Sequence, residues 1–180
     1  MNRGATVCSI PPASRTGANS HAPRGGCADF MAHSFEVWRI LPSALAGTPF
    51  APAAHPEGRF HHSGQVAAYA SLSAEGARVA IRRYLGDGAE RVILSMRLDV
   101  ERLADERGNR EASVVWQDDR AVGLPSPTWA FSDAARSAGA QAMLYSSRSR
   151  PELAHVVVFE PACLRDARPA LPFIEEAGRR

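Results

Sequence analysis

The stretch Gly58–Tyr84, GRFHHSGQVAAYASLSAEGARVAIRRY, decides the fold class. Gly64 supplies a turn, the short apolar run Val66–Tyr69 reads as a strand, and Ser73 stands where a side-chain oxygen can cap a helix over Ala74–Leu85. Loop, strand and helix therefore follow one another within a single segment. This arrangement brings Arg59 and Tyr69, ten residues apart, to one end of a sheet. Ala77, Ala80, Ile81 and Tyr84 recur at helical spacing and predict the packed face, while Arg78, Arg82 and Arg83 fall largely elsewhere. A helix pressed on a strand beside a fixed cation makes a wall suited to an anionic ligand.

Upstream, Ser34–Leu41 (SFEVWRIL) reads as a first strand in which alternation puts Arg39 on the side of Phe35 and Val37. An arginine so placed is either a surface residue at the strand end or a ligand clamp. Pro42–Glu57, with four prolines and no helical stripe, is a long loop that delivers Gly58 and Arg59. Downstream, a turn at Gly86–Gly88 leads into a buried strand over Arg91–Leu98. Asp99–Asp105 suggests a helical turn, Glu106–Arg110 a polar loop, Ala112–Val115 a short strand and Trp116–Pro127 irregular chain. A helix over Thr128–Gly139, a strand at Met143–Tyr145, a polar loop over Ser146–Leu153 and an apolar strand at Ala154–Glu160 follow. The end, Leu164–Arg180, is proline-broken and weakly helical from Pro172. The sum is an α+β single domain of short strands with two or three packed helices, without internal repeats.

Composition narrows the function classes. The formal charge is +2, and every one of the 21 basic side chains is arginine. Arg3, Arg15 and Arg24 stand against Asp29 alone in the first thirty residues, so the remainder is close to neutral. Such a balance argues against direct nucleic-acid binding, and the absence of lysine removes Schiff-base chemistry and any lysine-dependent phosphate loop. Residues 1–30, rich in Gly, Pro, Ser and Ala, read as a disordered or non-native tail, with Met31 as an alternative start; residues 31–165 form the domain and 166–180 an extension. No run approaches the roughly 18 apolar residues that cross a bilayer, so no membrane association and a cytoplasmic location are expected. Cys8, Cys27 and Cys163 read as reduced thiols, and no metal site is expected from His61, His62, His155, Asp118 and Asp119.

A further pattern lies in the order of short motifs. Trp38-Arg39-Ile40, Gly58-Arg59-Phe60 with Gly64, Tyr69-Ala70-Ser71, Gly139–Arg148 (GAQAMLYSSR) and Val156–Pro161 (VVVFEP) together resemble the RES domain family over about Phe35 to Pro161. That resemblance implies a fold like that of ADP-ribosyltransferases. It also implies a toxin half of a toxin–antitoxin pair that consumes NAD at the nicotinamide–ribose bond, with water or phosphate as acceptor. Arg39 then matches an arginine of the first strand. Arg59 matches that of a glycine-arginine-tryptophan motif, here with Phe60. Tyr69 matches the tyrosine ending the second strand, and Ser147 the serine of a leucine-tyrosine-proline-serine motif, here with Ser146 in place of proline. Two guanidiniums suit a pyrophosphate through paired, charge-assisted hydrogen bonds; tyrosine offers a flat face and a hydroxyl, and serine an orienting hydroxyl.

The family glutamate falls at Ala80. A carboxylate there would stabilise the oxocarbenium-like ribosyl centre as nicotinamide leaves, which alanine cannot do. Glu75, the one acid of the segment, lies five residues earlier and about 140° round a rigid helix, so it serves only if the helix is rearranged. The sequence accordingly leaves open an NAD glycohydrolase or phosphorylase, a catalytically inactive relative that binds NAD or an antitoxin partner, and an unrelated α+β domain.

Overall fold

A computed structural model describes residues 32–175 of the chain, and the expected tail at residues 1–30 lies outside them. The framework is a pair of long antiparallel strands, β1 (His33–Pro42) and β3 (Arg91–Val100), in register from His33 opposite Val100 to Pro42 opposite Arg91. The Val, Ile, Leu and Met content of both strands suits a buried pleated surface. Further strands extend the sheet: β2 (Ala68–Ser71), β4 (Leu103–Glu106), β5 (Ala142–Ser146), β6 (Ala154–Val158) and β7 (Leu164–Arg165), in the order β4-β5-β6-β2-β1-β3-β7. The pairings are antiparallel except β4 with β5, and β8 (Leu171–Pro172) adds to β3. The α+β class is as the sequence predicts.

Period-two alternation sorts the sheet into two apolar faces. One carries Val37, Ala70, Leu94, Met96, Leu144, Val156 and Val158, and the segments around Phe50 and from Cys163 to Ala170 close over it. The other carries Met143, Tyr145 and Val157 with Phe60 and Ala135, and beside them Ile40 and Ile93 with Ala77. Both longer helices, α1 (Ala74–Ile81) and α3 (Trp129–Ser137), lie on this second face. Because β5 and β6 have covered faces on both sides, Leu144, Val156, Val157 and Val158 are almost wholly removed from water, each contributing about 1.5–3 kcal/mol of burial.

The junction of β1 and β2 positions the site. These strands share one paired register, Trp38 opposite Ser71, and beyond it they part without a further ladder. Residues from both lips of this split face a cleft whose roof is α1. Ser73 caps that helix by accepting a hydrogen bond from the Gly76 amide at 3.0 Å, and Glu75 in the first turn suits the helix dipole.

Several local expectations are corrected. The helix predicted over Ala74–Leu85 is α-helical only to Ile81 and tightens into a 3-10 segment over Arg82–Asp87, closed by Gly88 in the left-handed region at φ 70°. Ala77 is buried and Ile81 packs on the core, whereas Ala80 and Tyr84 face the cleft instead of packing. The helical turn expected over Asp99–Asp105 is the end of β3 and the start of β4, because β1 pairs with β3 as far as Val100 and β5 recruits Leu103–Glu106. The strand expected at Ala112–Val115 is a 3-10 turn at Glu111–Ser113, and part of the irregular stretch after it is α2 (Trp116–Ala121). The weak helix expected from Pro172 is not formed: Leu171–Pro172 pairs with β3, and residues 176–180 lie outside the described chain.

Candidate functional site

The cleft between the parted strands and α1 has a volume of about 660 Å³. β1 contributes Arg39, the loop before β2 contributes Glu57 and Arg59, β2 contributes Tyr69 and Ser71, and the segment after β5 contributes Ser147 and Arg148. Thus Arg39, Arg59, Tyr69 and Ser147, scattered over more than a hundred residues of sequence, line one space. Glu75 is not among its walls. It is exposed and pairs with Arg150 at 3.1 Å, tying the Ser147-bearing loop to the start of α1.

The turn carrying Arg59 is fixed from several directions. The Gly58 amide bonds the His61 carbonyl at 2.9 Å, and the indole of Trp129 donates to the Gly58 carbonyl at 2.8 Å. A Cβ on Gly58 would stand 2.4 Å from the His61 ring and 3.0 Å from the Tyr69 hydroxyl, so this close approach requires glycine. Thr128 Oγ1 donates to the Arg59 carbonyl, and Phe60 is wholly buried against Tyr145. The guanidinium of Arg59 lies over both rings, 5.3 Å from Phe60 and 5.1 Å from Tyr145, and its Nη2 donates to the Ala112 carbonyl at 2.9 Å. Phenylalanine at position 60 therefore retains the packing and cation-holding function of an aromatic residue after Arg59.

Tyr69 organises this turn. Its hydroxyl accepts from the Phe60 amide at 2.9 Å and lies 2.9 Å from His61 Nδ1. His61 Nε2 donates to the His55 carbonyl at 2.9 Å, which leaves Nδ1 as the acceptor for the Tyr69 proton. Burial raises the Tyr69 pKa, and burial pushes that of Tyr145 up to about 12 against the opposing pull of Arg59. Both phenols are neutral at physiological pH.

Arg39 is 8 % exposed, and its Nη1 donates to the Pro49 carbonyl at 2.5 Å and the Ala51 carbonyl at 3.0 Å. Desolvation lowers its pKa to about 10, so it stays charged. It holds the long loop against β1 while bordering the cleft. Burial also lowers the Arg59 pKa, and the nearby cations Arg148 and Arg83 act in the same direction. The Nε atoms of Arg39 and Arg59 are buried without partners among the described residues. Ser147 is buried, its amide bonds the Leu153 carbonyl at 2.8 Å, and its hydroxyl has no partner among the described residues.

Ala80 lies on the α1 wall of the cleft. The only carboxylate among the residues lining it is Glu57, which Arg120 holds through Nε at 3.0 Å and Nη2 at 3.3 Å. Sequence reasoning did not anticipate the pairing of Ser71 with His155. These residues are register partners on β2 and β6, with Ser71 Oγ 2.8 Å from His155 Nδ1. Burial, with a smaller contribution from Arg59, depresses the His155 pKa to about 4, so the imidazole is neutral. No sequence signal links two residues 84 positions apart; only the β2–β6 register does. Among the described residues no group of His, Cys, Asp or Glu can hold a metal ion, and no helix is long and apolar enough to cross a membrane.

Comparison with known proteins places these features. The model of the RES domain family matches residues 36–176. A crystal structure of the M. tuberculosis MbcT–MbcA toxin–antitoxin complex contains a chain of similar fold, with a TM-score of 0.51 and 18% identity over 78% of this chain and 85% of that one. No curated protein matches.

Proposed function

The chain belongs to the RES domain family, and from that membership together with the charge of the cleft we propose that it binds NAD and cleaves the nicotinamide–ribose bond, acting as the toxin of a toxin–antitoxin pair. The observation that carries this reading is the convergence of Arg39, Arg59, Tyr69 and Ser147 on one cleft. Its volume of about 660 Å³ falls within the range of roughly 300–1,000 Å³ usual for small-molecule sites. Arg59 faces the pyrophosphate, the Tyr69 ring bounds the nicotinamide end, and the free Ser147 hydroxyl orients a ribose or amide oxygen. In the reaction the C1′–N bond breaks and its electron pair leaves with nicotinamide. The oxygen of water or phosphate then bonds C1′, and with water as acceptor a proton is released.

Ala80 favours a second reading, in which the same cleft binds NAD without cleaving it. A cationic ribosyl centre needs an anion nearby, and the one cleft carboxylate is already engaged by Arg120. The fold likeness to the chain in the MbcT–MbcA complex supports a protein partner, an antitoxin, for either reading.

The test is incubation of the full chain with NAD, with and without phosphate, following nicotinamide release against Arg59→Ala. Release that disappears in the variant supports the enzyme. Absence of release with NAD binding by calorimetry supports the binding protein, and neither signal removes both.

A further inference from the structure

The cleft has an imbalance of charge that its own fold does not consume. Four guanidiniums border it, from Arg39, Arg59, Arg83 and Arg148, against the single carboxylate of Glu57. Glu57 is neutralised by Arg120, which lies outside the lining, so it offsets none of the four.

The four are not equivalent. Arg39 spends Nη1 on two carbonyls of the loop, and Arg59 spends Nη2 on Ala112 while its plane covers Phe60 and Tyr145. These bonds set the shape of the protein and reduce what either group can offer a ligand. Arg83, on the 3-10 segment after α1, and Arg148, next to Ser147, are exposed and have no hydrogen bond or ion pair among the described residues. Yet both line the same cleft as Arg59, brought there from separate elements of the fold. The loop carrying Arg148 meets the start of α1 through Arg150 and Glu75, and Arg83 follows the other end of that helix.

Like charges gathered without counter-ions repel one another, and a bound anion relieves that repulsion. Guanidiniums are suited to phosphate oxygens through forked hydrogen bonds, and two from separate elements can take the two phosphates of a diphosphate. We propose that Arg83 and Arg148 are the diphosphate-gripping pair of the cleft, taking a pyrophosphate-linked ligand over Arg59, while Arg39 serves chiefly to hold the loop. The assignment deepens the NAD reading and rests on it for the identity of the nucleotide, but the anion site stands on these residues alone.

Calorimetry of the full chain at low salt with inorganic pyrophosphate, ADP-ribose and NAD tests it. Arg83→Ala and Arg148→Ala are each expected to weaken pyrophosphate and ADP-ribose about tenfold, and the double variant about a hundredfold, the loss expected for one charge-assisted contact each. Nicotinamide riboside, which lacks phosphate, should be insensitive to both changes. The salt dependence of binding should flatten in the variants. Arg97→Ala, whose side chain pairs with Asp99 at 2.9 Å outside the cleft, is the control and should bind as the parent. Circular dichroism checks that each variant is folded. Wild-type affinity for ADP-ribose in the double variant overturns the proposal and leaves the NAD reading standing. Arginine-dependent pyrophosphate binding with no NAD binding supports the proposal and overturns the NAD reading. No binding of any of the three anions overturns both.

Discussion

Replacing Tyr69 with phenylalanine isolates the contribution of one oxygen atom. The ring stays, with its packing beside Phe60, Met143 and Val157, and only the hydroxyl is lost. That atom accepts the Phe60 amide proton and donates to His61 Nδ1, both at 2.9 Å, so its loss strands a buried backbone donor and a buried ring acceptor. His61 cannot recover by changing tautomer, because its Nε2 proton is committed to the His55 carbonyl. A stranded buried group costs about 1–3 kcal/mol, so two cost roughly 2–6 kcal/mol. Partial solvation of the turn from the cleft favours the lower half of that range, about 2–4 kcal/mol, a large part of the roughly 5–15 kcal/mol that holds a domain together. Urea unfolding gives the answer directly. With a slope of about 1–3 kcal/mol/M, the midpoint should fall by about 1–2 M at unchanged slope. A companion cycle with His61→Ala should return a coupling of about 0.5–3 kcal/mol between the two side chains. A loss under about 0.5 kcal/mol would refute the account of Tyr69 as the fastener of the Arg59 turn, since the hydroxyl would then be free for ligand.

Two other perturbations test the electrostatics. His155 is neutral in the fold with its pKa near 4, against an ordinary value of about 6.5, so the unfolded chain binds a proton that the folded chain refuses. Stability is therefore complete above about pH 6.5 and declines toward pH 4, by up to about 3 kcal/mol from this group; His155→Gln should flatten that part of the profile in urea titrations, and an unchanged slope would refute it. Ala80→Glu places a carboxylate on the α1 wall facing the cleft, among its arginines, at a helix-propensity cost of a few tenths of a kcal/mol. If a missing anion limits turnover, nicotinamide release should rise by about 10²–10³, the scale of one preorganised electrostatic group, and a folded variant with no rise would refute that limit.

Much of the framework was legible because it rests on local pattern. The apolar runs at Ser34–Leu41, Arg91–Leu98 and Ala154–Glu160 correspond to β1, β3 and β6, and Ser73 caps α1 as its position predicted. What escaped depends on distant partners. Leu103–Glu106 is polar enough to read as a turn and becomes a strand because β5 lies beside it in parallel. Trp116–Ala121 spans less than two full turns, too short for a helical stripe to stand out from a loop. At the site, the residue types were readable but not their occupations. That Arg39 reaches back to carbonyls at Pro49 and Ala51 depends on how the proline-rich loop returns, and the His61 proton that orders Tyr69 depends on the His55 carbonyl.

The same distinction separates two halves of the cleft. The half around Arg59 is overdetermined: glycine at 58, the Trp129 indole, Thr128, Phe60 and the Tyr69 hydroxyl each restrict one turn, through contacts that are at least part-buried. Such a wall keeps its geometry whether or not a ligand is present, which is the condition for charges to act without reorganisation cost. The opposite half, made of α1 and the loop around Ser147 and Arg148, is joined at its rim by the exposed pair of Glu75 and Arg150. Solvent-exposed pairs of this kind contribute little to stability, so the relation of this loop to α1 is set more weakly than anything on the Arg59 side. Glu75 is thus engaged by Arg150 at the rim and is not among the residues that line the cleft. A carboxylate for the ribosyl centre is accordingly better sought at position 80, on the wall itself, than by moving Glu75 away from the contact it makes.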